Sequence, residues 1–204
     1  MYLFQQEKDC NSTNTMLSDF QRNKLAYFFS LYDLNNNDFL QLDDFTDIAD
    51  RLCEKLQYQS ASKHHEFLVR KTVALFHRLL TDIPHKDEQR IYLDQWLKFF
   101  EEKVLKSGKE DFLDDYVELI IGYIFDLFDE NNDGYISLDE YKQVFDIYGI
   151  DVTYVDKAFD NLDLNRDMRL SRYELIRSVE TFLLSDDPLD KGNWIFGNWN
   201  GLKS

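Results

Sequence analysis

Apolar residues recur every three to four positions along most of this chain, and the rhythm breaks at short acidic stretches that resemble one another. Phe29, Leu31 and Tyr32 lead into Asp33, Phe125, Leu127 and Phe128 into Asp129, and Phe159 and Leu162 into Asp163. In each run a Phe stands four residues before the Asp, one helical turn back. Beyond each acidic stretch the rhythm resumes, with Phe45, Ile48, Ala49 and Leu52, then Tyr141, Val144, Phe145 and Tyr148, then Leu175, Val179 and Phe182. The pattern predicts helix, twelve-residue loop, helix, three times over. Two more helices are expected between residues 53 and 110, around Phe67 to Leu80 and from Trp96 to Phe100.

The twelve-residue stretches carry the chemistry. Asp129, Asn131 and Asp133 set oxygen ligands on alternate residues, and Gly134 supplies a sharp turn at positive φ. Tyr135 offers a backbone carbonyl, Ser137 a hydroxyl that acts through water, and Glu140 a side chain long enough to close with both oxygens. A hard cation that takes six to eight oxygens accounts for all six positions, which is the EF-hand calcium loop. Asp163, Asn165, Asp167, the Arg169 carbonyl, Ser171 and Glu174 repeat the set, with Met168 at the turn and Arg166, Arg169 and Arg172 alongside. Asp33, Asn35, Asn37, the Phe39 carbonyl, Gln41 and Asp44 form a weaker set. Asp38 stands at its turn, and the closing Asp44 is one methylene short, which shifts preference towards Mg²⁺. Up to three Ca²⁺ are expected, with Mg²⁺ competing at the Asp33 loop.

Loops of this kind work in pairs, so a partner for the first is expected before residue 110. The interval from Leu80 to Gln95 holds sixteen residues where twelve are needed, and Pro84, His85, Lys86 and Arg90 intrude without a closing Glu. We read a degenerate loop that binds no metal, with Asp82, Asp87, Glu88 and Asp94 as solvated charges, and a short backbone pairing of Ile91 with Leu40. The expected fold is all-α: a compact four-EF-hand body of two pairs with short loop-to-loop β pairings. Residues 1–15 read as a disordered leader, 16–106 as the N-terminal pair, 110–185 as the C-terminal pair, and 186–204 as a packed aromatic tail. Ser18 caps the first helix with Gln21 as its capping-box partner, and Lys106-Ser107-Gly108-Lys109 joins the pairs.

Composition narrows the function. The formal charge of −16 disfavours nucleic acid and anionic surfaces, and three bound Ca²⁺ would leave about −10. No apolar run approaches the ~20 residues of a membrane span, Tyr2 stands where N-myristoylation needs Gly, so no N-terminal lipid switch is expected, and no secretory signal is evident. Cys10 and Cys53 form no disulfide pattern. No nucleophile elbow, phosphate-cradling loop or zinc spacing is present, and His64, His65, His77 and His85 lack ligand spacing. A cytoplasmic, monomeric, non-enzymatic calcium buffer or signalling sensor without a stable membrane anchor is expected, its protein target unidentified. A calmodulin-like adaptor is disfavoured, because such grooves are rich in Met and this chain has three.

The run Leu17-Ser18-Asp19-Phe20-Gln21-Arg22-Asn23-Lys24, the run Lys191-Gly192-Asn193-Trp194-Ile195-Phe196-Gly197 and Trp96 resemble calexcitin and the invertebrate sarcoplasmic calcium-binding proteins. The resemblance spans about residues 16–204 and implies a compact cytosolic four-EF-hand protein with its tail against the body. The chain departs from calexcitin in losing the second loop and keeping the ligands of the fourth. The pattern of loops one, three and four also resembles calcium-regulated photoproteins and luciferin-binding proteins, which implies an oxygenase or carrier with a buried small-molecule cavity. Against that alternative, the tail lacks the photoprotein aromatic-x-Pro ending, and the four His form no evident triad.

Overall fold

A computed structural model describes residues 16–60, 62–85, 89–105 and 110–199. The expected leader, the join at Lys106–Lys109 and the Lys86, Asp87 and Glu88 part of the degenerate loop lie outside the described residues. Helix α1 (Asp19–Tyr32) starts at Ser18, whose hydroxyl accepts from the Gln21 N–H at 3.2 Å while the Gln21 side chain accepts from the Ser18 N–H at 3.0 Å. This is the expected capping box, and it satisfies two N–H groups that a helix start leaves open. The remaining helices are α2 (Leu42–Lys55), α3 (Lys63–Asp82), α4 (Leu93–Phe99), α5 (Glu110–Phe128), α6 (Leu138–Tyr148), α7 (Val155–Leu162) and α8 (Arg172–Leu184). Helix α4 continues as a π-helical stretch, Phe100–Leu105. No described helix is long and apolar enough to cross a membrane.

The only extended segments among the described residues are short pairs that tie the loops together. Strand β1 (Phe39–Leu40) runs antiparallel to β2 (Ile91–Tyr92), placing Leu40 opposite Ile91. Strand β3 (Tyr135–Ser137) pairs likewise with β4 (Arg169–Ser171), with Ile136 opposite Leu170. Both residues of each of these pairs are fully buried, so the strand face that cannot be solvated is anchored in the core. The fold is therefore all-α with two loop-to-loop pairings, as the repeat predicts.

One aromatic core runs through both halves. The Phe28 ring lies 5.5 Å from Trp96, 6.0 Å from Phe182 and 5.1 Å from Phe196, joining α1, α4, α8 and the chain after α8. Such offset and edge-on pairs add to burial energy. The Trp96 indole N–H would be stranded in this core, and it donates to the Leu25 carbonyl at 3.0 Å.

After α8 the chain folds back through a 3-10 turn, Lys191–Trp194, and buries Trp194, Ile195 and Phe196. Gly192 makes the close approach feasible, since a Cβ there would stand 2.5 Å from Thr181 Cβ and 2.8 Å from the Ser178 carbonyl. Hydroxyls from both halves hold the segment. Tyr27 donates to the Phe196 carbonyl at 3.0 Å and Tyr141 to the Ile195 carbonyl at 2.6 Å.

Lys24 completes the clamp. Its ammonium is buried, donates to the Ser185 carbonyl at 2.6 Å and to Asn193 Oδ1 at 3.0 Å, and lies over the Phe20 and Phe182 rings. Burial lowers its pKa to about 8, against the opposing pull of Asp190 and Asp186. The charge also caps the carbonyl end of α8, where the helix dipole favours a cation.

Candidate metal centres

The three candidate loops share one backbone template. In each, the fourth and sixth positions are left-handed: Asn36 and Asp38 at φ 54° and 67°, Asn132 and Gly134 at 56° and 80°, Arg166 and Met168 at 61° and 67°. The sixth-position turn is anticipated by the motif; the fourth is an addition. The Asn residues at 36 and 132 are its signal, because Asn tolerates this region, whereas Arg166 gives none. Each leading carboxylate then accepts from the N–H groups of the fifth and sixth positions. Asp33 accepts from Asn37 and Asp38 at 3.0 Å each. Asp129 accepts from Asp133 at 3.1 Å and Gly134 at 3.0 Å, and Asp163 from Asp167 at 3.2 Å and Met168 at 2.9 Å.

The fifth position orients the seventh. Asn37, Asp133 and Asp167 accept from the N–H groups of Phe39, Tyr135 and Arg169, which holds those three peptides in place as the loop turns into β1, β3 and β4. Asn131 and Asn165 accept from the Asp133 and Asp167 N–H groups at 2.7 and 2.9 Å. The closing acid is the twelfth loop residue and also the third residue of the outgoing helix, so the helix start fixes its reach. Asp44, Glu140 and Glu174 accept from the N–H groups of Gln41, Ser137 and Ser171 at 2.9, 2.8 and 2.9 Å.

The second oxygen of the closing acid separates the loops. Glu140 uses it to accept from the Glu130 N–H at 3.0 Å, and Glu174 from Leu164 and Asn165 at 2.9 and 3.2 Å, so each Glu spans its loop. Asp44 is a methylene shorter, and its second oxygen meets the Asn35 side-chain amide instead. Their electrostatics diverge accordingly. Burial pushes the Asp44 carboxyl up to about 6, the Gln41 N–H pulling against it and Asp33, Asp47 and Asp43 reinforcing it. Burial also pushes Glu174 up, but the Ser171 hydroxyl and N–H with the Asn165 and Leu164 N–H groups outweigh it and hold the carboxyl below its ordinary value.

The donor sets are oxygen only, as a hard divalent cation requires. Asp33, Asn35, Asn37, Gln41 and Asp44 stand around the first loop; Asp129, Asn131, Asp133, Ser137 and Glu140 around the third; Asp163, Asn165, Asp167, Ser171 and Glu174 around the fourth. Among the described residues no three His, Cys, Asp or Glu side chains already stand clustered as a metal site. The loop carboxylates accept from backbone N–H groups, which fixes them on the loops. The residues fit calcium.

Among its described residues the 80–95 interval repeats the closing contact of this template, the Gln95 side chain accepting from the Tyr92 N–H at 3.0 Å, and one left-handed residue, Gln89 at φ 73°, without the leading-carboxylate hydrogen bonds of the three loops. Ile83 is buried within it, and Asp82 is engaged by Arg78 and by the Tyr116 hydroxyl, which donates to it at 3.0 Å. Arg90 lies over the Phe39 ring at 4.4 Å. All four His side chains lie at the surface or half-buried, and none reaches the core.

A family model described as an EF-hand domain matches residues 121–149, which contain the end of α5, the third loop and α6. Clytin from Clytia gregaria is 29% identical over 183 residues, covering 87% of this chain and 88% of clytin. The calcium-loaded apo form of the coelenterazine-binding protein from Renilla muelleri shares the fold at a TM-score of 0.71 with 19% identity, covering 89% of this chain and 99% of that one. A sarcoplasmic calcium-binding protein from amphioxus does so at 0.66 with 17% identity, covering 89% and 98%.

Proposed function

We propose that this EF-hand calcium-binding protein takes up to three Ca²⁺ ions, through 33–44, 129–140 and 163–174, and serves in the cytoplasm as a calcium buffer or signalling protein without catalysis of its own. The three loops would bind through the side chains named above together with the Phe39, Tyr135 and Arg169 carbonyls. The shared hydrogen-bond template carries this reading, since it recurs in full in the three loops, whereas the described residues of 80–95 keep only its closing contact. The first loop, with two carboxylates and the short Asp44, is the site open to Mg²⁺.

The filled interior supports a protein that binds calcium without opening a target groove, because Trp194, Ile195 and Phe196 are buried and Phe196 packs against both Phe28 and Phe182. The test is calorimetric titration with calcium, with and without millimolar Mg²⁺. Three binding events are expected, one of them displaced by Mg²⁺. A fourth event, or none at the 129–140 loop, overturns the reading.

A second reading follows from the likeness to clytin, described as a photoprotein, and to the coelenterazine-binding protein. One observation favours it: the Tyr123 hydroxyl is buried in the core beside the hydroxyls of Tyr148 and Tyr32. It lines a void of about 10 Å³ shared with Tyr32, Tyr148 and Phe196. That space holds one water at most, so a luciferin-type ligand would have to displace Phe196 and its neighbours. Adding coelenterazine and then calcium decides between the two. Light, or quenching of the core tryptophans on adding coelenterazine, favours the carrier reading, and neither is expected if the core stays shut.

A further inference from the structure

The first loop is tied through β1 and β2 to the 80–95 interval, which is read as metal-free, so its strand partner reports no second ion. The fold gives it another neighbour, the last turn of α6. Tyr148, the final residue of α6, lies edge-on to Tyr32 at 5.8 Å, and Tyr32 ends α1 immediately before Asp33. Asp146 pairs with Lys55, the final residue of α2, and the Ile147 carbonyl accepts from Arg51 Nη1 at 3.4 Å. Helix α2 carries the closing Asp44 as its third residue, and Phe45 beside it stacks on Tyr32 at 5.1 Å. Three consecutive residues of α6 therefore hold both helices that frame the first loop.

The other end of α6 belongs to the third loop. Glu140 is its third residue and reaches across that loop to the Glu130 N–H at 3.0 Å. Tyr148 also lies 6.4 Å from Phe128, the residue before Asp129. One ring thus meets the residue preceding the leading acid in two loops that belong to different halves. The helix has 11 residues, a rod of about 16 Å at 1.5 Å per residue. An ion gripped by Asp129 and Glu140 would fix α5 and α6 relative to one another, and the rod would pass that constraint to α1 and α2.

We propose that α6 is a lever between the halves, through which calcium at the third loop raises the calcium affinity of the first. Tyr148 and Asp146 act as positioning residues for Asp33 and Asp44. The inference rests on the reading that both loops take up calcium. Its sign follows from ordering: a first loop whose flanking helices are already held has less conformational entropy to lose when its own ion arrives. Through-space charge works the other way. Losing the ion and the Glu140 carboxylate together leaves the third loop one charge more negative than when filled, which attracts calcium to the first. The direction of the effect therefore separates a mechanical link from an electrostatic one.

The test is calorimetric calcium titration of the full chain, following the event that Asp44→Asn removes, which belongs to the first loop. Glu140→Gln should lower the affinity of that event about fivefold, the low end of ordinary coupling between sites. With Asp146→Asn and Tyr148→Leu together cutting the hold on α2 and α1, Glu140→Gln should leave it unchanged. Thermal melting in chelator checks that this background folds. Asp146→Asn alone removes only a part-exposed ion pair, so the chain keeps its core, and the effect of Glu140→Gln should shrink to about twofold. A first-loop affinity that is unchanged or higher in Glu140→Gln, or a fivefold loss that survives Asp146→Asn at full size, overturns the proposal. A parent chain with no first-loop event overturns the metal assignment of 33–44 and the coupling together. A first-loop event indifferent to residue 140 overturns the coupling alone.

Discussion

The first and fourth loops share a backbone template and differ by a single methylene in the closing acid, with opposite electrostatic results. Glu174 crosses its loop to the Leu164 and Asn165 N–H groups, and its carboxyl is held below the usual range. Asp44 falls short, meets the Asn35 amide, and is pushed up to about 6 by burial. A carboxylate satisfied by several N–H groups is ready for a cation before it arrives, whereas a buried one with fewer donors favours its proton. Loop shape and loop readiness are therefore separate properties. The comparison can be tested at several scales, beginning with the element that keeps the two loops in one body.

Truncation after Asp190 removes Trp194, Ile195 and Phe196 from the core and the acceptors of Tyr27 and Tyr141. At roughly 2 kcal/mol per large buried side chain, the loss is about 5 kcal/mol or more, or about 10 °C or more in Tm for a chain of this size. Scanning calorimetry and apolar-dye binding read it. Unchanged melting and dye binding would show that the tail contributes nothing. Separate transitions for the halves would allow each loop pair to be measured alone.

Glu140→Gln should weaken the tightest calcium phase on the order of 100-fold, through loss of a charge and of its span to Glu130. The equivalent change at Asp44 should remove only the weakest phase. Equal losses would erase the ranking of the loops.

The pH response of the metal-free protein distinguishes the closing acids directly. Asp44 has a folded pKa raised to about 6 from an ordinary 3.8, so its folded state holds the proton more tightly. Its contribution to stability is fully present below about pH 4 and is lost as pH rises through about 6. Asp44→Asn should therefore stabilise the chelated protein at pH 7 by on the order of 2 kcal/mol and have little effect near pH 4. Glu174 is depressed, so its contribution is present above the ordinary 4.5 and is lost as pH falls. Glu174→Gln should therefore destabilise the chelated protein at neutral pH. Urea titrations at pH 4 and pH 7 in chelator read both signs, and like signs at pH 7 would contradict the argument.

The smallest change should repair the first loop. Asp44→Glu restores the methylene, lets the carboxylate reach across, and should raise calcium affinity about tenfold while reducing competition by Mg²⁺. Unchanged selectivity in a calcium titration with Mg²⁺ would place the weakness of this loop elsewhere, at Asp38 or in the two-carboxylate donor set.

The sequence alone determined the features that close over short spans. The apolar rhythm and the twelve-residue spacing located the helices and the three loops, Ser18 and Gln21 announced the first cap, and the sixteen-residue spacing of 80–95 set that interval apart. Even the Leu40–Ile91 pairing was legible, because paired loops leave one place for it. The tertiary structure decided what depends on residues far apart. Nothing local to Lys24 shows that its ammonium will be buried against Ser185 and Asn193, or that Tyr27 and Tyr141 will hold the carbonyls of one returning segment. The state of Asp44 is likewise invisible locally, since it arises from desolvation by the helices packed around it. Hydrogen-bond reach within a loop is set by side-chain length and can be counted along a sequence; burial is set by the whole fold and cannot.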